Sequence, residues 1–292
     1  MKKKSILVIG SSNTDMVIRV PELPLPGQTV LGDEFRIFCG GKGANQAIAA
    51  RRAGGNVRFL AAIGDDEFGK AAIDNLKAAG IDTQNIQIID DIASGVAMIF
   101  VDDHGENCIS IAAGANARLS AEILIEQQYL FDDADPLLIQ LETPMESIVK
   151  AINLASERDV RVVLNPAPAA VLTDDLLQQL FCITPNEIEA ETLTGIAVVD
   201  AQSAATAAAE LLRRGVQNVI ITMGESGALL CNAEGVHHET AKRVPVADTT
   251  GAGDTFNGVL AAMLAEGRSL RAAVKLAVEA ATQSVQSAGA NA

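Results

Sequence analysis

The 292-residue sequence predicts an α/β fold: a doubly wound, mostly parallel central sheet flanked by helices, with a small β-sheet lid. Three observations carry that prediction. From Ala134 onward, short apolar runs alternate with segments of helical composition, the order a parallel sheet requires because each crossover needs room for a helix. Glycine clusters at Gly40 to Gly43 and Gly251 to Gly253 stand directly before helical patterns. Two stretches, 15–38 and 94–112, interrupt the alternation with strand-like runs and turn residues of their own.

In chain order, Ser5 to Gly10 is an apolar run closed by a Gly-Ser turn, predicting a buried central strand. Val17, Ile18 and Val20 are followed by Pro21, Pro24, Pro26 and Gly27, then by Thr29 to Leu31 and Phe35 to Phe38. Short strands joined by proline turns fit this better than helix. Gly43 to Ala53 predicts a helix, Val57 to Ile63 a strand, and Phe68 to Ala79 a helix stopped by Gly80. Val96 to Val101 and Asn107 to Ile111 flank Asp102-Asp103-His104-Gly105-Glu106, a hairpin pattern. Segments 15–38 and 94–112 are therefore expected to form the lid, and 1–14, 39–93 and 113–292 the core. In that core, strands Leu137 to Leu141, Val160 to Leu164, Phe181 to Thr184 and Val219 to Thr222 alternate with helices. The helices are Met145 to Glu157, Asp174 to Gln179, Glu187 to Leu193 and Ala201 to Arg214. Strand-like Ala228 to Cys231 and Val236 to Glu239 precede two alanine-rich helices, Asp254 to Glu266 and Leu270 to Ser287.

Hydrophobic residues make up 49% and charged residues 20%, a composition that can bury a core. The longest apolar run, Val259 to Ala265, falls far short of the roughly 20 residues that a membrane helix needs. Lys2 to Lys4 imitate the basic start of an export signal, but the apolar stretch Ile6 to Ile9 is too short for one, so a cytoplasmic location is expected. A net charge of −15 repels phosphate backbones and anionic lipids, which argues against nucleic-acid and membrane partners. Cys39, Cys108, Cys182 and Cys231 form no Cys-x-x-Cys pair and are expected as small buried hydrophobes in a reducing compartment. His104, His237 and His238 match no metal spacing or nucleophile triad and are expected at the surface.

The segment Asp248-Thr249-Thr250-Gly251-Ala252-Gly253-Asp254-Thr255-Phe256 places a small-residue turn at the start of a long helix. Without side chains at Gly251 and Gly253, several backbone N–H groups can converge at the helix's positive end and make an anion hole. Such a hole suits phosphoryl transfer, with Asp254 beside it as the base for a substrate hydroxyl. The plainer alternative is that Asp254 caps the helix. Gly40-Gly41-Lys42-Gly43-Ala44-Asn45-Gln46 lacks the Walker spacing, yet its backbone can approach a small polar ligand while Lys42 and Asn45 donate. Alternatively it is a simple strand-to-helix turn with Lys42 solvated. Asn13, Asp15 and Glu142 fall at the sheet edge where open α/β folds bind ligands, and would suit a polyhydroxylated molecule unless they are ordinary loop residues. Asn186 and Glu189 form either a capping box or contacts to a nucleotide's phosphates and its Mg²⁺. Thr222-Met223-Gly224-Glu225-Ser226-Gly227 is a turn between two strands.

Taken together these segments resemble the ribokinase-like carbohydrate kinase family, in the family's order from Gly10 to about Gly289. Gly40 to Ala47 is similar to its first signature and Asp248 to Phe256 to its second. Asn165-Pro166-Ala167-Pro168-Ala169, Thr184-Pro185-Asn186-Glu187 and Ala113-Gly114-Ala115-Asn116-Ala117 look like the ribose-phosphorylating branch rather than its adenosine, fructose or ketodeoxygluconate relatives. The resemblance implies ATP-dependent phosphorylation of the 5-hydroxyl of D-ribose, with Asp254 as base and Gly251, Ala252 and Gly253 as the anion hole. It implies that Asn13, Asp15, Gly41, Lys42, Asn45, Glu142 and Asp254 hold ribose. Asn186, Thr222, Gly224 and Gly227 would lie along ATP, with Gly253 at its γ-phosphate and Glu189 organising Mg²⁺. Asp248 and Thr250, with Ser287 and Gly289, would serve a K⁺ site, and the lid would close over ribose and pair two subunits as a homodimer. The family usually continues beyond Gly289 with a Ser- and Pro-containing loop and a final helix, whereas this sequence ends at Ala290-Asn291-Ala292. Part of the K⁺ site and a flank of the adenine pocket are therefore expected to be missing, and the polar adenine contact near Val278 or Glu279 is unassigned. Alternatives are a kinase for deoxyribose or another pentose, and a non-catalytic sugar- or nucleotide-binding regulator on the same scaffold.

Overall fold

The computed structural model describes residues 4–287. The chain begins β1 (Ser5–Ile9), β2 (Asn13–Arg19), β3 (Glu34–Gly40), α1 (Lys42–Arg52), β4 (Val57–Leu60), β5 (Ala62–Gly64), α2 (Glu67–Ala78), β6 (Gln87–Ile89), β7 (Gly95–Val101), β8 (Asn107–Ala112). It continues through α3 (Ala121–Glu126), β9 (Ala134–Ile139), α4 (Met145–Ser156), β10 (Val162–Leu164), α5 (Asp174–Leu177), β11 (Cys182–Ile183) and α6 (Glu187–Thr194). It ends with α7 (Ala201–Arg213), β12 (Asn218–Thr222), β13 (Ala228–Asn232), β14 (Gly235–Glu239), α8 (Ala252–Ala265) and α9 (Leu270–Ser284).

Eight strands form the central sheet in the order β14-β13-β12-β11-β10-β9-β1-β4. Those from β4 to β12 run parallel, and β13 and β14 add an antiparallel edge. Every residue of β1 is buried, as expected of a strand covered on both faces. Its side chains alternate between two cores: Leu7 and Ile9 join the α4 and α7 side, Ile6 and Val8 the α1 and α8 side. Chain winding reverses between β1 and β9, so a crevice opens where these strands end, at Gly10–Asn13 and Gln140–Glu142. Helices α1 and α8 pack closely over this point: a Cβ on Gly258 would lie 2.6 Å from the Ala49 Cβ and the Gln46 carbonyl oxygen. Only glycine allows that approach, which brings α1 beside the start of α8.

A separate four-stranded sheet, ordered β3-β2-β7-β8, stands apart from the core. Its middle pair, β2 and β7, is parallel, and the outer pairs are antiparallel. Edge strand β8 is exposed at all six residues. Several details differ from the sequence reading. Asn13 and Asp15 lie inside β2, registered against Gly40 and Phe38, rather than in a loop. Thr29 to Leu31 forms no strand. The run Val57 to Ile63 splits: β4 joins the central sheet while β5 leaves it to pair with β6, bridged by the Gln87 N–H on the Ala61 carbonyl at 2.8 Å. Helix α9 ends at Ser284, leaving Ser287 beyond it. Cys182 and Cys231 are buried, but Cys108 is exposed on the β8 edge and Cys39 is half-buried. His104 is exposed, while His237 and His238 are partly buried on β14, where His237 contacts Glu239 and Arg271. No helix among the described residues is long and apolar enough to cross a membrane.

Candidate active site

The glycine cluster at 40–43 sets helix α1 against the end of β1. A Cβ on Gly43 would lie 2.6 Å from the Gly10 carbonyl carbon and from the Ser11 nitrogen, so the two backbones touch. Gly41 precedes the helix at φ 89, a conformation that favours glycine. The Lys42 N–H donates to Glu142 Oε2 at 3.1 Å, and the Ser11 hydroxyl donates to the same oxygen. The helix therefore starts on a carboxylate supplied from the end of β9. Asn13 Oδ1 accepts from Asn116 Nδ2 at 2.8 Å, and Asn116 also pairs with the Ser12 backbone in both directions.

Asp254 sits at the third residue of α8, 8% exposed. It is not a cap: Gly251 occupies that position and no side chain caps the helix. Its Oδ2 accepts from Asn45 Nδ2 at 3.1 Å and its Oδ1 from Gln46 Nε2 at 3.0 Å, both from α1. Burial pushes its pKa up, opposed by Lys42 and by these two amide donors, while Glu142 adds to the rise. Asp15 is raised to about 6 by burial first, then by Glu142 and Asp254, with Lys42 acting against them. Burial works to lower the Lys42 pKa, but Asp254, Glu142, Glu189 and Asp15 together hold it above its usual value. Lys42 thus lies half-buried in the field of four carboxylates, rather than as a solvated turn residue. Glu189 is raised by burial, with the Asn186 N–H and Lys42 opposing.

Behind Asp254 runs a buried chain of amides. Gln46 Nε2 donates also to Asn165 Oδ1 at 2.9 Å, and Gln46 Oε1 accepts from Gln140 Nε2 at 2.7 Å. Asn165 Nδ2 donates to the Thr184 carbonyl at 3.1 Å, and the Thr184 hydroxyl to Asn257 Oδ1 at 2.6 Å. Asn257 Nδ2 closes the chain on the Gly253 carbonyl at 2.8 Å. None of Gln46, Gln140, Asn165, Thr184, Asn257 or Asn116 was assigned a role from the sequence.

The opposite flank is built from backbone turns. Gly251 adopts φ 75, and Gly253 would bring a Cβ within 4 Å of nothing, so the turn is open to a ligand. Asp248 Oδ1 accepts the Thr250 N–H at 2.8 Å, and the N–H groups of Ala247 and Asp248 both meet the Val285 carbonyl. That brings the segment leading to Ser287 against the turn; Gly289 lies outside the described residues. Asn186 and Glu189 form a capping box on α6, with reciprocal bonds of 2.8 and 2.9 Å. Asn186 bridges to Thr222, the end of β12, and the turn Gly224–Ser226 follows, closed by the Met223 N–H on the Gly227 carbonyl. Gly224 has no neighbour within 4 Å of a Cβ, whereas Gly227 is crowded by the Glu239 carbonyl.

Among the described residues, no group of three His, Cys, Asp or Glu could hold a metal by itself. The donor set fits Mg²⁺ brought by phosphates, which typically needs only one or two protein carboxylates; Glu189 uses only Oε2 in its cap. The oxygens of Asp248, Thr250 and Ser287 are hard donors of the kind a monovalent cation takes.

The chain matches the pfkB family carbohydrate kinase over residues 3–292. It is 42% identical over 288 residues to a ribokinase of Haemophilus influenzae, covering 99% of this chain and 94% of that protein. It is 38% identical over 286 residues to a deoxyribokinase of Salmonella typhi, covering 97% and 93%. Among solved structures, Arabidopsis thaliana ribokinase complexed with ribose and ATP superposes with a TM-score of 0.92 at 27% identity, over 99% of this chain and 94% of that one.

Proposed function

The chain belongs to the pfkB family of carbohydrate kinases, and within it we propose a ribokinase that transfers the γ-phosphate of ATP to the 5-hydroxyl of D-ribose. One observation carries this reading: the buried carboxylate of Asp254 and the open turn at Gly251–Gly253 share the start of α8, where a base beside an anion site would stand. The ribose oxygen attacks the γ-phosphorus, its proton passes to Asp254, and the bond to the departing ADP oxygen breaks with its electron pair. Backbone N–H groups of Gly251, Ala252 and Gly253 face the charge that develops on the phosphoryl oxygens. Asn13, Asp15, Gly41, Lys42, Asn45 and Glu142 surround the sugar, whose hydroxyls need both donors and acceptors. Asn186, Thr222, Gly224 and Gly227 flank the nucleotide. Glu189 would hold Mg²⁺, and Asp248, Thr250 and Ser287 a K⁺ ion. Bound there, the two cations would offset phosphate charge and shape the anion turn.

ADP release with ATP and Mg²⁺, compared between D-ribose and 2-deoxyribose with and without K⁺, tests the reading. We expect the higher kcat/KM on ribose, stimulation by K⁺, and a loss of about 10²–10⁴ in kcat for Asp254→Asn. Preference for 2-deoxyribose would favour the alternative suggested by the deoxyribokinase relative. Sugar binding without turnover would favour a regulator.

The separate sheet would act as the lid over the sugar and as the dimer contact. Phe35, Ile37, Met98, Ile109 and Ile111 expose apolar side chains on it, and its edge strand β8 is exposed along its whole length. Sedimentation should give a dimer; a monomer at assay concentration would remove this role.

A further inference from the structure

We infer that Gln46 is a positioning residue of the transfer site: it fixes Asp254 through Oδ1, so that the sugar's proton arrives at Oδ2. This rests on the reading of Asp254 as the base. Gln46 is fully buried and cannot touch substrate, so whatever it does for the reaction is done through Asp254.

Donors and acceptors around Gln46 match in one orientation only. An ionised carboxylate only accepts, so Gln46 must turn its NH₂ toward Asp254, and its second N–H then falls on Asn165 Oδ1. Its own Oε1 is left to accept from Gln140 Nε2. Gln140 is thereby committed as well, and its Oε1 is buried with no partner. Reversing Gln46 would set Oε1 against both Asp254 and Asn165 Oδ1, and its NH₂ against the Gln140 NH₂. The orientation is locked from three sides. Each oxygen of Asp254 accepts one amide N–H: the donor on Oδ1 cannot turn away, whereas the donor on Oδ2 belongs to Asn45, a residue proposed to face the sugar. Asn165 carries the same chain on through Thr184 and Asn257 to the Gly253 carbonyl, so base and anion turn are held by one set of bonds. The charged groups acting on Asp254 are Lys42 and Glu142, and Asp254 in turn acts on Asp15 and Glu189.

Steady-state kinetics of the wild type, Gln46→Met and Gln140→Met with ATP, Mg²⁺ and D-ribose across pH test this. Gln46→Met keeps the volume and removes the donor. Its kcat should fall about 10–100-fold, the range for a lost hydrogen bond to a charged group, while KM for ribose moves less than about threefold. The acid limb of its kcat profile should shift to higher pH, because the carboxylate has lost a donor; a purely structural role would lower Tm without moving the limb. Gln140→Met removes one of the three restraints on Gln46 and leaves its Oε1 without a donor, so it should shift both quantities the same way by less. Wild-type kcat and acid limb in Gln46→Met would overturn the inference, and if that variant does not fold, the same result in Gln140→Met would. If the wild type phosphorylates no sugar, the reading of Asp254 falls first and takes the inference with it. If the wild type is active and the variants match it, the inference alone falls.

Discussion

The two flanks of the α8 start are held in different ways. On the α1 side, Asp254 is bound by side chains about two hundred residues away in sequence, and Lys42 and Asp15 have displaced pKa values. On the turn side, Asp248 bonds the N–H two residues on, Asn186 and Glu189 cap their own helix, and Gly224 and Gly253 face open space. The first flank is fixed by tertiary bonds that form only when the fold is complete; the second by local backbone conformation. Substitutions on the first should therefore disturb folding and chemistry together. On the second they should separate the two.

The largest separation is expected between two glycines. Gly253→Val introduces a side chain where nothing lies within 4 Å, so thermal unfolding should match the wild type. The same side chain fills the open face of the turn, and turnover should fall about 10²-fold or more, as on loss of an oxyanion donor. Gly43→Ala does the reverse. Its Cβ would meet backbone atoms of Gly10 and Ser11 at 2.6 Å, and overpacking of this kind costs about 1–3 kcal/mol. Denaturant titration should show that loss directly. A Gly253→Val protein that unfolds early, or a Gly43→Ala protein as stable as the wild type, would break the contrast between the flanks.

The same contrast explains what the sequence disclosed. Buried parallel strands are continuous apolar runs, so β1, β9 and β12 stood out; the split between β4 and β5 did not, because residues 57–63 are mostly apolar across it and the pairing with β6 is long-range. Lys42, Asn45 and Asp254 were visible because each adjoins a glycine turn. Gln140, Asn165 and Thr184 were not, although a signal existed: each is the first residue after a strand, β9, β10 and β11 in turn. These strands are neighbours in the sheet, so three polar residues line up along one edge. One polar residue after an apolar run is ordinary; three become a site only once strand order is known. Asn257 gave no comparable signal, and Asn116 stood only within residues 113–117, a segment that carried the family resemblance without a role.

The smallest predicted effect concerns the stability that the α1 flank gives up. Asp15 has a pKa of about 6 in the folded protein against 3.8 for a free aspartate, chiefly from burial and then from the charges of Glu142 and Asp254. A carboxyl whose folded pKa is raised prefers to keep its proton in the fold. Below the unfolded pKa both states are protonated and Asp15 has no effect. As pH rises through the interval between the two values the folded state falls behind, and above about 6 the penalty is constant. It amounts to about 3 kcal/mol at most. Asp15→Asn should therefore raise Tm by about 2–6 °C at mildly alkaline pH and leave it unchanged near the unfolded pKa. The variant should also lose sugar affinity, since the amide replaces an acceptor proposed to bind a hydroxyl. If the gain in Tm were equal at both pH values, charge would not be its source. The cause would then lie in the packing of Asp15 against Gly40, where a Cβ would fall in the space the carboxylate now occupies. Stabilisation confined to high pH would instead show that the α1 flank gathers its carboxylates around Asp15 at a cost in stability.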